Sequence, residues 1–152
     1  MRKAYRILAD LIAVSVVVQS MAMVWGIAGL LHWVGDGGSF GSKAADSLFD
    51  DPPDFSGSVG FTIHSAVGMM VIPVIALALL VVAFFAGVPR GVLLAAIALG
   101  IVVVQAIVGS IGPDAPWVGL VHGFLPFALF GLSMEAAKAA HPTTQTAVTA
   151  TP

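Results

Sequence analysis

Gln19, His64, Gln105 and His122 stand inside long apolar runs, where a polar side chain is costly and is a functional candidate by default. An imidazole can bind a metal through one ring nitrogen or hydrogen-bond a neighbouring helix, and a glutamine amide can donate and accept. The chain has no cysteine, which excludes disulfides, thiolate metal sites and cysteine nucleophiles. His32 falls at the outer interface, where solvent exposure is expected, and His141 follows the last apolar run and is expected to be uninvolved.

The elements that must position these residues are four apolar runs, roughly Ile7–Trp33, Phe61–Gly87, Val92–Ile111 and Trp117–Met134. Each reaches the ~17–25 residues that cross a bilayer's hydrocarbon. The chain is 59% hydrophobic and 9% charged, so lipid rather than water solvates its surface. The expected fold is an all-α, integral membrane, up-down-up-down four-helix bundle over residues 1–138, with an outer loop 34–60 and a disordered tail 139–152. The breaks "GVPRG" and "GPDAP" are short enough to force antiparallel neighbours. His64 lies about four residues into its span and His122 about five, each ~6–8 Å deep at the helical rise. Their spans run parallel on a diagonal of the bundle, with axes ~11–14 Å apart by simple geometry from neighbouring axes at ~8–10 Å. Two imidazoles reaching inward, each adding a metal bond of ~2 Å, can meet one metal at the centre. That spacing suits a haem iron held on both faces.

Small residues flank these positions. Gly68 is one turn after His64, Gly109 one turn after Gln105, and Gly119 and Gly123 flank His122; a flat macrocycle needs such clearance. Pro73 frees the Met69 carbonyl and Pro126 the His122 carbonyl, so both histidine helices are expected to bend. Each feature has an alternative meaning. A membrane histidine can simply bond a neighbouring helix, glycines at helical spacing serve close packing, and prolines are common in membrane helices. Gln105 can bond an imidazole, a haem propionate or another helix. Gln19 is placed near the bilayer middle, too deep to share the histidine level.

Arg2, Lys3, Arg6, Arg90 and Lys138 fall at one set of helix ends and Lys43 alone at the other, which places both termini in the cytoplasm by the positive-inside rule. Trp33 and Trp117 are read as the outer aromatic belt and Tyr5 as the inner one. Asp10 has Arg6 one turn earlier as an ion-pair partner. A signal peptide ending at "QSMA" is the rival reading of residues 1–22, but the apolar run continues to Leu31, past the 7–15 residues of a usual signal core. In the outer loop, Ser42 is expected to cap a helix over Lys43–Phe49 that lies on the membrane as a lid. The tail after His141 has too little apolar surface to fold.

The net charge of −2 and scattered basic residues exclude a nucleic-acid partner. No carboxylate stands beside a histidine at the outer site, no serine lies with both a base and an acid, and "GDGGSFGS" lacks the lysine of a phosphate loop. The loop acids Asp36, Asp46, Asp50, Asp51 and Asp54 read as a solvated face.

From Gly60 to Ser133 the chain resembles one half of a haem A synthase, a family of paired four-helix bundles with histidines on the second and fourth helix of each. The likeness rests on "FTIHSAVG", "VVVQAIVGSIG" and "LVHGFLPFALFGL". The chain is also similar to small uncharacterised bacterial four-helix membrane proteins with the same pattern. The resemblance implies haem ligation by His64 and His122, with Gln105 at the family's third-helix glutamine. Ser65 stands where the family usually has arginine, and the family's cysteine pair and active-loop carboxylate are missing. One bundle with these departures does not imply haem A synthesis itself.

The first expectation is therefore a small membrane protein of the bacterial inner (plasma) membrane. It holds one b-type haem between His64 and His122 for electron transfer or haem handling, with Gln105, Gly68 and Gly109 around it and a membrane redox partner or a second copy as partner. With both axial positions filled, oxygen chemistry is disfavoured, and no enzyme activity is assigned. The alternative is a cofactor-free structural or accessory subunit. A metal or small-molecule carrier ranks third, because past Met70 the second span is almost purely apolar.

Overall fold

The computed structural model describes residues 1–112 and 115–141; the segment read as a disordered tail lies outside these from Pro142 onward. Every regular element among the described residues is helical. Helix α1 spans Arg2–Gly35, and a short α2 spans Ser42–Asp46. A second long helix, Val59–Ala86, consists of α3 (Val59–Ala66), a π-helical turn at Val67–Val71, and α4 (Ile72–Ala86). Helices α5 (Gly91–Ile111) and α6 (Val118–Ala139) follow. The four long helices are each long and apolar enough to cross a membrane, and the backbone groups of such runs are satisfied within the helix itself. Their observed ends extend the expected spans: α1 begins at Arg2 and α6 runs on to Ala139.

The four long helices close a ring in which α1 packs against α3–α4 and α6, and α5 packs against α4 and α6. The second and fourth long helices thus face each other across the bundle. The core holds Ile12, Ala76, Leu79, Ala95 and Ala98, whereas Met21, Val74, Phe85, Leu120 and Phe127 are exposed on the outside. Large apolar side chains on the outside as well as apolar ones in the core suit a surface solvated by lipid.

At one end the ring is tied by polar contacts. Arg2 donates to the Gly87 carbonyl at 2.6 Å and the Tyr5 hydroxyl to the Gly91 carbonyl at 3.0 Å. Tyr5 is completely buried, so it is an internal strut rather than a member of an interfacial belt. Its hydroxyl uses the second lone pair of the carbonyl at the first residue of α5, near Gly87 and Arg90 in the left-handed turn between α4 and α5. Arg6 and Asp10 form the expected pair at 3.9 Å.

At the other end α1 overhangs its neighbour. Gly60 of α3 abuts the Ala22 carbonyl, Phe61 lies against Gly26, and Ser56 against Gly29. Small residues on both helices permit this approach. About ten residues of α1, roughly 15 Å at the helical rise, therefore project past the start of α3. The loop folds back along this projection, with Phe55 stacked on Trp33 at 5.5 Å. The short helix also differs from expectation: Gly41 is its N-cap, Ser42 is its first residue, and it ends at Asp46. No Ser42 side-chain cap forms, and turns carry the chain from Ser47 to Asp50.

Proline acts differently in the two histidine helices. Pro73 follows the π turn, in which hydrogen bonds skip one residue further than in an α-helix. Helix α6 continues through Pro126 as one α-helix.

Candidate functional site

His64 and His122 meet across the ring, with imidazole centroids 6.1 Å apart and planes at 61°. Each is held by the long helix that precedes its own. The Nδ1 of His64 is 3.3 Å from the Gln19 carbonyl of α1, and the Nδ1 of His122 is 3.3 Å from the Gln105 carbonyl of α5. A carbonyl only accepts, so both contacts require the Nδ1–H tautomer and leave Nε2 with its lone pair. Metal-ligating histidines are usually oriented in this way.

Gln105 braces His122 a second time. Its Nε2 donates to the His122 carbonyl at 2.9 Å and to His122 Nε2 at 3.4 Å, so the ring nitrogen that would bind a metal accepts this amide in the structure and has to exchange it for the metal. The flipped amide would set two carbonyl oxygens against each other, so the network fixes the amide's sense. Oε1 of Gln105 is then buried without a hydrogen-bond partner, an orphaned acceptor beside the imidazole. Gly109 makes room for the same ring: a Cβ there would lie 2.7 Å from His122 Cε1. Gly68 serves Gln19, since a Cβ there would lie 2.6 Å from the Gln19 amide nitrogen. Gly119 and Gly123 have nothing within 4 Å of a Cβ position and face open space.

Sequence reasoning misplaced Gln19. Hydropathy places it near the bilayer middle, whereas the overhang of α1 brings Gln19 to the level of His64. A signal was present, because "VVVQ" at 16–19 recurs at 102–105. Phe49 was also missed as a site residue. It packs edge-on against Phe61 at 5.6 Å and tilted over His64 at 6.2 Å, while Phe55 meets Phe61 at 6.4 Å. The loop therefore covers the His64 side of the site with aromatic rings. His32 is exposed as expected and pairs with Asp36 at 3.5 Å.

Among the described residues no cluster of three or more His, Asp or Glu can hold a metal ion. A tetrahedral zinc site, with three or four protein ligands, therefore has too few donors. Two neutral imidazoles are a donor set that suits an iron whose other four positions belong to a macrocycle. With metal–nitrogen bonds of ~2 Å, and ~1 Å more from each nitrogen to its ring centre, opposed ligands have centroids roughly 6 Å apart. The chain matches no protein-family model, no curated protein and no solved structure.

Proposed function

We propose that the protein is a multi-pass membrane protein that holds one b-type haem between His64 and His122, for electron transfer or haem handling. The observation that carries this reading is the pair of imidazoles with centroids 6.1 Å apart across the bundle, each with Nδ1 committed to a backbone carbonyl. His64 and His122 would hold it. The haem would supply one-electron chemistry, and the chain supplies ligand orientation, an apolar surround that would tune the potential, and aromatic cover from Phe49. Gln105 keeps His122 in its ligating tautomer, and its orphaned Oε1 is available to a donor at the site.

The bundle is read as up-down-up-down with both termini cytoplasmic, supported by the segregation of Arg2, Lys3, Arg6, Arg90 and Lys138 from Lys43. His64 then lies near the outer surface of a bacterial inner membrane. The short links between α4, α5 and α6 support the same reading.

A second reading is favoured by the same hydrogen bonds: His64 and His122 each join two helices, as histidines of a cofactor-free accessory subunit would. An optical spectrum of protein purified in detergent after expression with haem supplied separates the two. Stoichiometric haem in wild type, lost in both His64→Ala and His122→Ala, supports the haem reading. No haem band in wild type leaves the accessory reading standing.

A further inference from the structure

The two hairpins of the bundle carry the same pattern. "VVVQ" at 16–19 in α1 and at 102–105 in α5 sets one register, and His64 and His122 set another. Every buried residue of α5 has a buried counterpart at the same distance from its glutamine: Tyr5 with Gly91, Ala9 with Ala95, Ile12 with Ala98, Val16 with Val102. Tyr5 and Gly91, related by this register, also bond each other at 3.0 Å, as equivalent residues do beside a two-fold axis.

The histidine helices match in most of their buried positions, with one slip; buried Phe61 against exposed Gly119 is an exception. Gly60 corresponds to Val118 when the histidines are aligned, and both are buried. Beyond the histidines, buried Ile72, Ala76, Leu79 and Ala83 of α4 correspond to buried Leu129, Ser133 and Ala136 of α6 and Ala140 just past its end, while buried Ala86 and Ala137 stand outside the match. The two sets align only if the first hairpin carries one extra residue between His64 and Ile72. The π turn at Val67–Val71 lies in that interval, and a π turn is the form in which a helix absorbs one inserted residue. Amphipathic helices share a period by chance. They do not share a phase tied to the polar residues together with an insertion where the register slips.

We infer that the bundle is a duplicated Gln-helix/His-helix hairpin with the ligand site on its pseudo-two-fold axis, and that Gln19 positions His64 as Gln105 positions His122. The geometry matches in its main part: each histidine gives Nδ1–H to the backbone carbonyl of its own hairpin's glutamine, at 3.3 Å in both. The glutamine side chain sets the register of that contact. Gln105 does so by gripping the His122 carbonyl, and Gln19 by seating its amide against Gly68, one turn after His64.

Where the site holds haem, this rests on the function proposed above, so the test has an arm without haem. Ring-nitrogen NMR of the histidines in the detergent-purified apoprotein is paired with haem titration. The variants are Gln19→Met, Gln105→Met and, as a control on the outer face of α1, Val18→Leu. Gln19→Met is expected to disturb the Nδ1–H state of His64 alone and Gln105→Met that of His122 alone. Each is expected to weaken haem binding about 10- to 100-fold, the usual loss when a ligand's hydrogen-bonding support is removed, while Val18→Leu changes neither. Gly68→Ala retains Gln19 but displaces its amide, and serves should Gln19→Met not fold; it too should move the His64 signal. Wild-type behaviour of His64 in both Gln19→Met and Gly68→Ala, with His122 shifted in Gln105→Met, overturns the inference. If wild type takes up no haem, the proposed function fails, and the ring signals alone decide the pairing.

Discussion

Gly109 leaves just the space that the His122 ring fills. A Cβ at 2.7 Å from Cε1 is closer than carbon atoms approach without something shifting, and an imidazole tied at 3.3 Å to the Gln105 carbonyl has little room to shift. Gly109→Ala is expected to rotate the ring off that carbonyl and to weaken haem retention at least tenfold, by the same support argument as for a lost ligand partner, read by titration in detergent. Ser133 predicts the opposite kind of outcome. Its hydroxyl is 1% exposed and has no partner among the described residues, and its counterpart in the other hairpin is Ala76. Ser133→Ala is expected to raise the thermal unfolding midpoint, since an unsatisfied buried polar group costs about 1–3 kcal/mol; a lowered midpoint would show that the hydroxyl has a partner. At this scale His64, Gln105 and His122 were legible as polar residues in apolar helices. The role of Gln19 was not, because its carbonyl makes the contact and main-chain atoms leave no mark in residue type. Tyr5 misled for a related reason: its amphipathic ring suits an interface, but the small Gly91 opposite admits it to the core.

The long helices were legible because lipid solvation imposes a length and composition that no other structure needs. What sequence did not give was the offset between them. The overhang of α1 arises from close approach of Gly26 and Gly29 to Phe61 and Ser56, a matter of contact rather than of hydropathy. Bends are expected at both Pro73 and Pro126; the structure has a π turn before Pro73 and an unbroken α-helix through Pro126. If the π turn holds one surplus residue, deleting Met70, which is 68% exposed, converts the turn to regular α-helix and leaves His64 and Ile72 on their present faces. Deleting Val81, 53% exposed, has no such outlet and rotates all following residues by about 100°. Size-exclusion profiles and unfolding midpoints in detergent are expected to stay near wild type for the first deletion and to collapse for the second. Equal damage from both would contradict the account of the turn.

For the molecule as a whole, the absence of cysteine makes topology directly measurable. In intact cells a membrane-impermeant maleimide is expected to label Ser42→Cys, whereas Lys3→Cys is labelled only after permeabilisation; the reverse pattern would invert the proposed orientation. The ring of four helices was expected from short links, and the observed packing supplies its order. The duplication within it escaped a reading by hydropathy, because the first hairpin's 45-residue separation of Gln19 from His64 and the second's 17 between Gln105 and His122 hide the repeat behind a long outer loop. The central claim is that two opposed imidazoles hold one haem, and a haem titration of the purified protein followed by its visible spectrum tests it most directly. The predicted result is saturation at one haem per chain with a six-coordinate spectrum in wild type, and loss of that spectrum in His64→Ala and in His122→Ala. A wild-type protein that binds no haem, or one whose spectrum survives both substitutions, would contradict it.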